Sequence, residues 1–298
     1  MTFTFPMFLQ TFIDGIMIGS VYSTIAVGLS LGFGLMRIVN WAQGELLMVG
    51  LYIVFFAITG LGLDPYLTIL ISAPLMFLFG YLLQKYPLNS LLDKDKAREP
   101  QSIMMFTSGL GLFLTNFVTY LFSSNTKYTT TKYTSTSWII DEIGGMVISK
   151  PKFISGIVAL IATLILYVIV QKTEFGRALR ATAQNRQVAQ LMGIDNKKIY
   201  AVAQGMGVAL VGVAASLLIP NVTIFPTIGA NYSIKCMIIV VLGGRGSIPG
   251  CLIGGLLIGL IEKFGTLFWT ESYAQLVVFA VFVFMLMFRP KGLLGKES

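Results

Sequence analysis

Arginine and amide side chains recur at helical spacing in a basic segment between Lys172 and Lys198. At about 100° per residue, one stripe of this segment carries Arg177, Arg180, Gln184 and Gln187. A second stripe carries Phe175, Ala178, Ala181, Val188, Ala189 and Met192. Asn185 falls within the apolar stripe, where an unpaired amide is costly, so a surface that buries this stripe must hydrogen-bond Asn185. The pattern is typical of a docking surface for another protein, and equally of a positively charged loop on lipid headgroups.

A second polar group, Asn40, Gln43 and Glu45, stands at the start of an apolar run. Because Glu45 is followed directly by a hydrophobic helix pattern, its carboxylate must lie near a membrane interface or inside a helix bundle. The three side chains could line a polar path for a solute or set the conformation at its inner end. They could equally be the polar caps with which a helix begins at the membrane surface.

A glycine-rich turn follows near the C-terminal third of the chain, with Gly243, Gly244, Arg245, Gly246, Ser247 and Gly250 in close succession. Glycines on both sides of an arginine can absorb large backbone changes, which predicts a hinge. Glycines four residues apart also permit close approach of helix backbones, which predicts static packing. Both interpretations remain open from the sequence.

Several kinds of chemistry are not expected here. The chain has no histidine, and Cys236 and Cys251 lack metal-type spacing, so we expect neither a metal site nor a nucleophile–base pair, and no cofactor. The turn at 243–247 lacks the spacing and the lysine of a phosphate-binding loop, so ATP binding by this chain is not expected. Glu262 is predicted to form a local charge pair with Lys263 at a helix end.

Composition predicts an all-α, polytopic integral membrane protein. The 298 residues are 55% hydrophobic and 11% charged, with a mean hydropathy of +0.81. The net charge of +8 is carried in short breaks between apolar runs, a distribution that favours membrane orientation over nucleic-acid binding. The charge-free runs are Gly15 to Met36, Leu46 to Leu63, Pro65 to Gln84, Gln101 to Thr126, Phe153 to Gln171, Ile199 to Ile234, Gly246 to Ile261 and Ser272 to Phe288.

The run from Ile199 to Ile234 is too long for one span, and Pro220, Pro226 and Gly229 divide it. We expect a helix to about Ile219, an irregular or re-entrant piece, and a shorter helix over about 231–242. The total is then about eight transmembrane helices plus one shorter or re-entrant segment, with Gly-rich broken helices, in a single domain over 1–298.

Orientation follows from the positive charges. With the N-terminus outside, the breaks at Arg37, 85–98, 172–198, Arg245 and 289–296 face the cytoplasm, so that all seven arginines and eight of fourteen lysines lie inside. Residues 125–152 are then outside. An alternative count that merges 231–265 into one helix would put the basic tail outside.

Five motifs in order resemble the branched-chain amino acid permease subunits of bacterial ABC importers, over nearly the whole chain. They are Asn40-Trp41-Ala42-Gln43-Gly44-Glu45, Glu174-Phe175-Gly176-Arg177-Ala178-Leu179-Arg180-Ala181, Gln184-Asn185-Arg186 through Met192-Gly193-Ile194-Asp195, Gly243-Gly244-Arg245-Gly246-Ser247-Ile248-Pro249-Gly250 and Arg289-Pro290-Lys291-Gly292-Leu293. The resemblance implies that 172–198 is a cytoplasmic coupling segment that fits a cleft on an ATPase subunit. It implies polar contacts by Arg177, Arg180 and Asn185, and a close fit at Ala189 and Gly193.

The same resemblance implies the partners. These are two ATP-binding subunits, a second permease in a homo- or heterodimer, and a periplasmic or lipid-anchored substrate-binding protein, in the lipid bilayer of a bacterial cytoplasmic (inner) membrane. The solute expected is a branched-chain or similar hydrophobic amino acid. Urea or a short amide is the alternative within the family. A self-sufficient secondary transporter or channel is the alternative outside it, and would need buried ionisable groups, of which the sequence offers little beyond Glu45.

Overall fold

Long apolar helices make up most of the protein. The computed structural model describes residues 5–36, 40–94, 99–129, 136–140, 146–289 and 292–295. Arg37, Pro290 and Lys291, on which the sequence analysis drew, lie outside the described residues, as do parts of the expected breaks at 85–98 and 125–152.

The chain begins with α1 (Phe5–Met36), α2 (Gln43–Leu61) and α3 (Ile69–Leu83), which continues through a π-helical turn (Gln84–Leu88) into α4 (Asn89–Lys94). Next come α5 (Glu99–Phe122) and an antiparallel hairpin of β1 (Ser137–Ile140) and β2 (Met146–Ser149). The second half holds α6 (Lys150–Lys172), α7 (Glu174–Gln184), α8 (Arg186–Leu191), α9 (Asn196–Leu218), α10 (Ile228–Gly243), α11 (Ile248–Phe268) and α12 (Glu271–Phe288).

Eight helices in the described part of the chain are long and apolar enough to cross a membrane, and α10 is a ninth, shorter one. The expected fold class is therefore confirmed. The alternative count is wrong, because residues 231–265 form two helices, α10 and α11, joined by a turn at 244–247.

The break between α9 and α10 lies where the prolines predicted it. Pro220 lies in a 3₁₀ turn (Ile219–Asn221), near its start, where the missing N–H of proline is tolerated. Residues 222–227 are irregular and are held by two backbone hydrogen bonds between Ile224 and Lys127, of 2.7 and 2.8 Å. The short helix then begins at Ile228, three residues before the predicted start.

Small residues set the packing of the central helices. A Cβ placed on Gly19 in α1 would lie 2.7 Å from the carbonyl oxygen of Gly255 in α11, and one on Gly28 would lie 2.4 Å from that of Gly207 in α9. These backbones approach so closely because neither side of each contact carries a side chain. By contrast, only 11% of α12 is buried, so this helix lies at the edge of the bundle.

Contacts between loops gather the predicted cytoplasmic breaks at one end of the bundle. Gly34 at the end of α1 packs against Gly246, and the Asn89 side chain donates to the Lys197 carbonyl at 3.4 Å. At the other end, the Tyr66 hydroxyl donates to the Pro151 carbonyl at 3.2 Å. The breaks therefore alternate between the two ends of the bundle, as the positive charges predicted. Which end faces the cytoplasm remains a prediction.

Candidate functional site

The predicted coupling segment, 172–198, contains α7 and α8 with a sharp break between them, not one continuous helix. The Asn185 backbone is extended, with φ −151° and ψ 105°, and its amide oxygen accepts hydrogen bonds from the N–H groups of Gln187 and Val188 at 3.0 and 3.1 Å. Asn185 is therefore the N-cap of α8. A partner is not needed to satisfy that oxygen, contrary to the argument from the apolar stripe, because the stripe assumed a helix running through Asn185.

Tight contacts fix α7 to the end of α6. A Cβ on Gly176 would lie 2.0 Å from the Val170 carbonyl oxygen, so the two backbones touch. The Arg180 guanidinium donates a hydrogen bond to that same carbonyl. Thr173 caps α7 by accepting from the Gly176 N–H at 3.2 Å. Arg177, in contrast, is exposed and pairs with Glu174 at 3.3 Å.

The second helix of the segment presents an apolar surface. Val188, Leu191 and Met192 are 53%, 86% and 78% exposed, and we call these three residues the apolar knuckle. Ala189 lies on the opposite side and is buried within the chain. Gly193 ends α8 with a φ of +85°, a conformation that favours glycine, and the space around its Cα is open.

Asn196 anchors this segment to α9, and sequence reasoning missed it. Its side-chain amide donates to the Arg186 carbonyl at 2.9 Å, and its amide oxygen accepts from the Thr182 hydroxyl at 3.4 Å. Asp195 caps α9 through the N–H groups of Lys197 and Lys198. The knuckle is therefore displayed on a rigidly connected support.

The glycine turn is closely packed and also has unusual backbone angles. Gly244 and Gly246 have φ values of +101° and +76°, and a Cβ on Gly250 would lie 2.0 Å from the Gly243 carbonyl oxygen. The Ser247 hydroxyl accepts from the Gly250 N–H at 3.1 Å and so caps α11. The contacts agree with the packing interpretation, and the positive φ values favour glycine at 244 and 246. The hinge interpretation stays a prediction.

The coupling segment and the glycine turn face each other across a cavity of about 480 Å³. Arg180 and Gln184 of α7 form one wall, and Arg245 to Ser247 form another. The irregular C-terminal residues 292–295 pack on the same region, since the Leu293 and Leu294 N–H groups donate to the carbonyls of Leu242 and Gly243 at 2.8 and 3.1 Å. Two separately predicted groups are thus neighbours.

The polar group at the start of α2 does not converge on one point. The Asn40 amide oxygen accepts from the Ala42 N–H at 3.0 Å, and buried Gln43 reaches the Ile25 carbonyl of α1 at 3.5 Å. Glu45 is half-buried and accepts from the Ser233 hydroxyl of α10 at 3.1 Å. Of these three side chains, Glu45 is the one that hydrogen-bonds to α10 among the described residues.

An ion pair inside the bundle was missed by sequence reasoning. The Lys235 ammonium of α10 lies 2.8 Å from one carboxylate oxygen of Glu262 in α11 and 3.0 Å from the other. The Tyr22 hydroxyl of α1 donates to Glu262 at 3.1 Å and accepts from Lys235 at 3.2 Å. The predicted local pairing of Glu262 with Lys263 is wrong, because Glu262 lies within α11 and not at a helix end. The sequence did hold a signal for this ion pair, because a lysine and a glutamate within two successive apolar helices are expected to pair.

In the part of the chain that the structure describes, eight helices long and apolar enough to cross a membrane, together with the shorter α10, define a multi-pass membrane protein. The family whose sequence model matches is described as "Branched-chain amino acid transport system / permease component", over residues 11–286, and this chain belongs to that family.

Relatives match over nearly their full length. BraD of Pseudomonas aeruginosa, a high-affinity branched-chain amino acid transport system permease protein, is 33% identical and covers 98% of this chain and 97% of its own. LivH of Escherichia coli K12, also a high-affinity branched-chain amino acid transport system permease protein, is 28% identical and covers 99% of this chain and 97% of its own. A probable branched-chain amino acid transport permease protein of Methanocaldococcus jannaschii is 29% identical and covers 93% of this chain and 90% of its own.

Proposed function

We propose that this chain is the membrane permease subunit of an ATP-driven importer that moves branched-chain or similar hydrophobic amino acids into the cytoplasm. ATP hydrolysis takes place in two separate subunits. A second permease, identical or similar, completes the pathway, and a periplasmic or lipid-anchored binding protein delivers the solute. The complex resides in a bacterial cytoplasmic membrane. The names of the relatives, which are branched-chain amino acid permease proteins, support the solute class.

The observation that carries the proposal is the apolar knuckle. Three large apolar side chains stand exposed on a short helix whose caps and tethers are all internal to the chain. Exposed apolar side chains grouped in this way mark protein–protein contact sites. A cleft on an ATPase subunit would bury them. Closure of the ATPase pair would then move α8 and α7. Because Gly176 and Arg180 hold α7 to α6, the movement would reach α6.

The pathway would run along the exposed stripe of α10. Thr227, Ala230, Asn231 and Ile234 are exposed on that helix. Glu45 flanks the stripe on one side through Ser233, and Lys235 with Glu262 flanks it on the other. Because polar and ionisable groups at membrane depth avoid lipid, this face is the one best suited to meet the second permease.

Uptake of labelled leucine into proteoliposomes tests the proposal. The chain is reconstituted with its ATPase and permease partners and supplied with binding protein, with and without ATP. We expect uptake only when all subunits and ATP are present. A panel including urea and acetamide separates the solute classes, and preference for either of these over leucine would replace the amino acid with a short amide.

One observation favours a second candidate, a self-sufficient secondary transporter. Such a protein needs ionisable groups inside the membrane, and Lys235 and Glu262 provide them. Gradient-driven leucine flux by this chain alone, abolished in Glu262→Gln, would establish this candidate and remove the ATP-driven one.

A further inference from the structure

The cavity between α7 and the glycine turn has an unbalanced charge. Its described lining includes the side chains of Arg180 and Arg245, and no aspartate or glutamate is among the residues of that lining. Within the described part of the chain, neither arginine has an ion-pair partner. The Arg245 guanidinium carbon lies 5.2 Å from the centre of the Phe33 ring, and this stacking leaves its N–H donors free to face an anion.

The other side chains of the cavity suit a phosphate ester. Hydroxyl and amide groups are contributed by Ser30, Tyr167, Gln171, Gln184 and Ser247. Such groups, together with guanidinium, donate hydrogen bonds to phosphate oxygens. Apolar side chains, including Leu31, Val170 and Ile248, form a second part of the wall. The lining therefore combines a cationic polar region with an apolar one.

The cavity lies at the end of the bundle that the positive charges predict to face the cytoplasm. It is bounded by the C-terminal turns of α1 and α6 and by the first turn of α11, which are the ends of three membrane-spanning helices. Basic pockets between transmembrane helices at the cytoplasmic side are suited to anionic headgroups. The apolar knuckle belongs to α8 and does not line this cavity, so the two surfaces are separate.

We infer that this cavity binds the headgroup of an anionic phospholipid, such as phosphatidylglycerol, between Arg180 and Arg245. The bound phosphate would connect the coupling segment to the glycine turn, and its apolar tail would follow the apolar part of the wall. Any effect of the lipid on coupling rests on the proposed function, whereas binding of the lipid does not.

Lipid retention by the purified full-length chain tests the inference. The chain in detergent is mixed with phosphatidylglycerol or phosphatidylcholine, and bound lipid is counted by native mass spectrometry. We expect one retained phosphatidylglycerol and no comparable phosphatidylcholine. Arg245→Gln should weaken retention about fivefold, and Arg245→Lys should restore most of it. Arg245 is exposed, so these variants test binding without removing a buried contact.

A matched control removes the same charge elsewhere. Lys198 is exposed, lies at the start of α9 and does not line the cavity, so Lys198→Gln should leave retention unchanged. Equal loss in Lys198→Gln and Arg245→Gln, or equal retention of the two lipids, would overturn the inference. Displacement by glycerol 3-phosphate at the same concentration as the lipid would assign the site to a soluble phosphate ester and overturn the lipid assignment.

Discussion

Lys235 and Glu262, 27 residues apart in the sequence, form an ion pair with a shortest separation of 2.8 Å between α10 and α11. The side chains are 16% and 8% exposed, so both charges are largely removed from solvent. The Tyr22 hydroxyl bonds to both and joins α1 to the pair. One polar cluster thus connects the three helices α1, α10 and α11.

Removing one charge should destabilise the protein more than removing both. Lys235→Met leaves the buried Glu262 carboxylate without its cationic partner, which costs about 3 kcal/mol, whereas Lys235→Met with Glu262→Leu replaces the pair by apolar contacts. We expect the single variant to lower the thermal unfolding temperature in detergent and the double variant to recover most of the loss. Breaking the exposed pair by Arg177→Gln should have little effect on that temperature. A double variant as unstable as the single one would contradict this account of the pair.

Backbone contact between α2 and α10 should make Gly44 intolerant of a methyl group. A Cβ there would lie 2.0 Å from the Gly229 carbonyl oxygen, so Gly44→Ala forces the helices apart. We expect a loss of about 2 kcal/mol in the free energy of unfolding, measured by denaturant titration in micelles. Gly109→Ala is the control, because nothing lies within 4 Å of its added Cβ. Equal stability of the two variants would show that α2 and α10 do not touch at Gly44.

The apolar knuckle should govern association with the ATPase and not folding. Burial of one leucine side chain contributes about 2 kcal/mol, so Leu191→Ser should weaken ATPase binding roughly thirtyfold. Leu61, 68% exposed at the end of α2, gives the matched variant Leu61→Ser, for which no change is expected. Titration of labelled ATPase subunit onto the purified permease measures both, and equal affinity of the two variants would remove the knuckle from the interface.

Two substitutions of Asn185, the N-cap of α8, distinguish an effect on folding from an effect on coupling. Aspartate is as good an N-cap as asparagine, so Asn185→Asp should keep α8 intact while altering the charge offered to the partner. We expect normal membrane insertion with ATP hydrolysis uncoupled from leucine uptake. Asn185→Ala loses the cap, at about 1 kcal/mol, and should lower thermal stability. Normal substrate-stimulated uptake by Asn185→Asp would remove Asn185 from the coupling contacts.

Gly193 offers a second, independent test of the same contact. The positive φ makes any large residue strained there by about 1 to 2 kcal/mol, and Gly193→Trp also adds bulk to an open surface. Asparagine tolerates this conformation, so Gly193→Asn is the small control. We expect the tryptophan variant to insert but to lose coupled uptake, and the asparagine variant to retain most of it. Equal uptake by both would show that this surface stays open in the complex.

Apolar runs and prolines were sufficient to predict the number of spans and the break before α10, because both depend on local chain properties. The first charge-free run begins at Gly15, after Asp14, whereas α1 extends to Phe5 and contains Asp14, which pairs with Lys152 at 2.9 Å. A charge stops a hydropathy pattern, but it does not stop a helix when another helix supplies its partner.

Contacts between distant residues could not be predicted in this way. The pairing of Lys235 with Glu262 and the cavity between Arg180 and Arg245 each depend on which helices are neighbours, and one sequence does not specify that. The local structure at Asn185 was predicted wrongly for a different reason. Helical periodicity was extended across a residue whose type is also typical of an N-cap, and the N-cap prevailed.

Cysteine accessibility at the knuckle tests the central claim most directly. The native cysteines, Cys236 and Cys251, are both buried, so we expect them to react little with a maleimide. Leu191→Cys then supplies an exposed thiol whose labelling can be distinguished. In intact cells a membrane-impermeant maleimide should leave Leu191→Cys unlabelled until the membrane is opened, while Leu61→Cys is labelled at once. Labelling of Leu191→Cys from the exterior would put the coupling segment on the wrong side of the membrane and contradict the account.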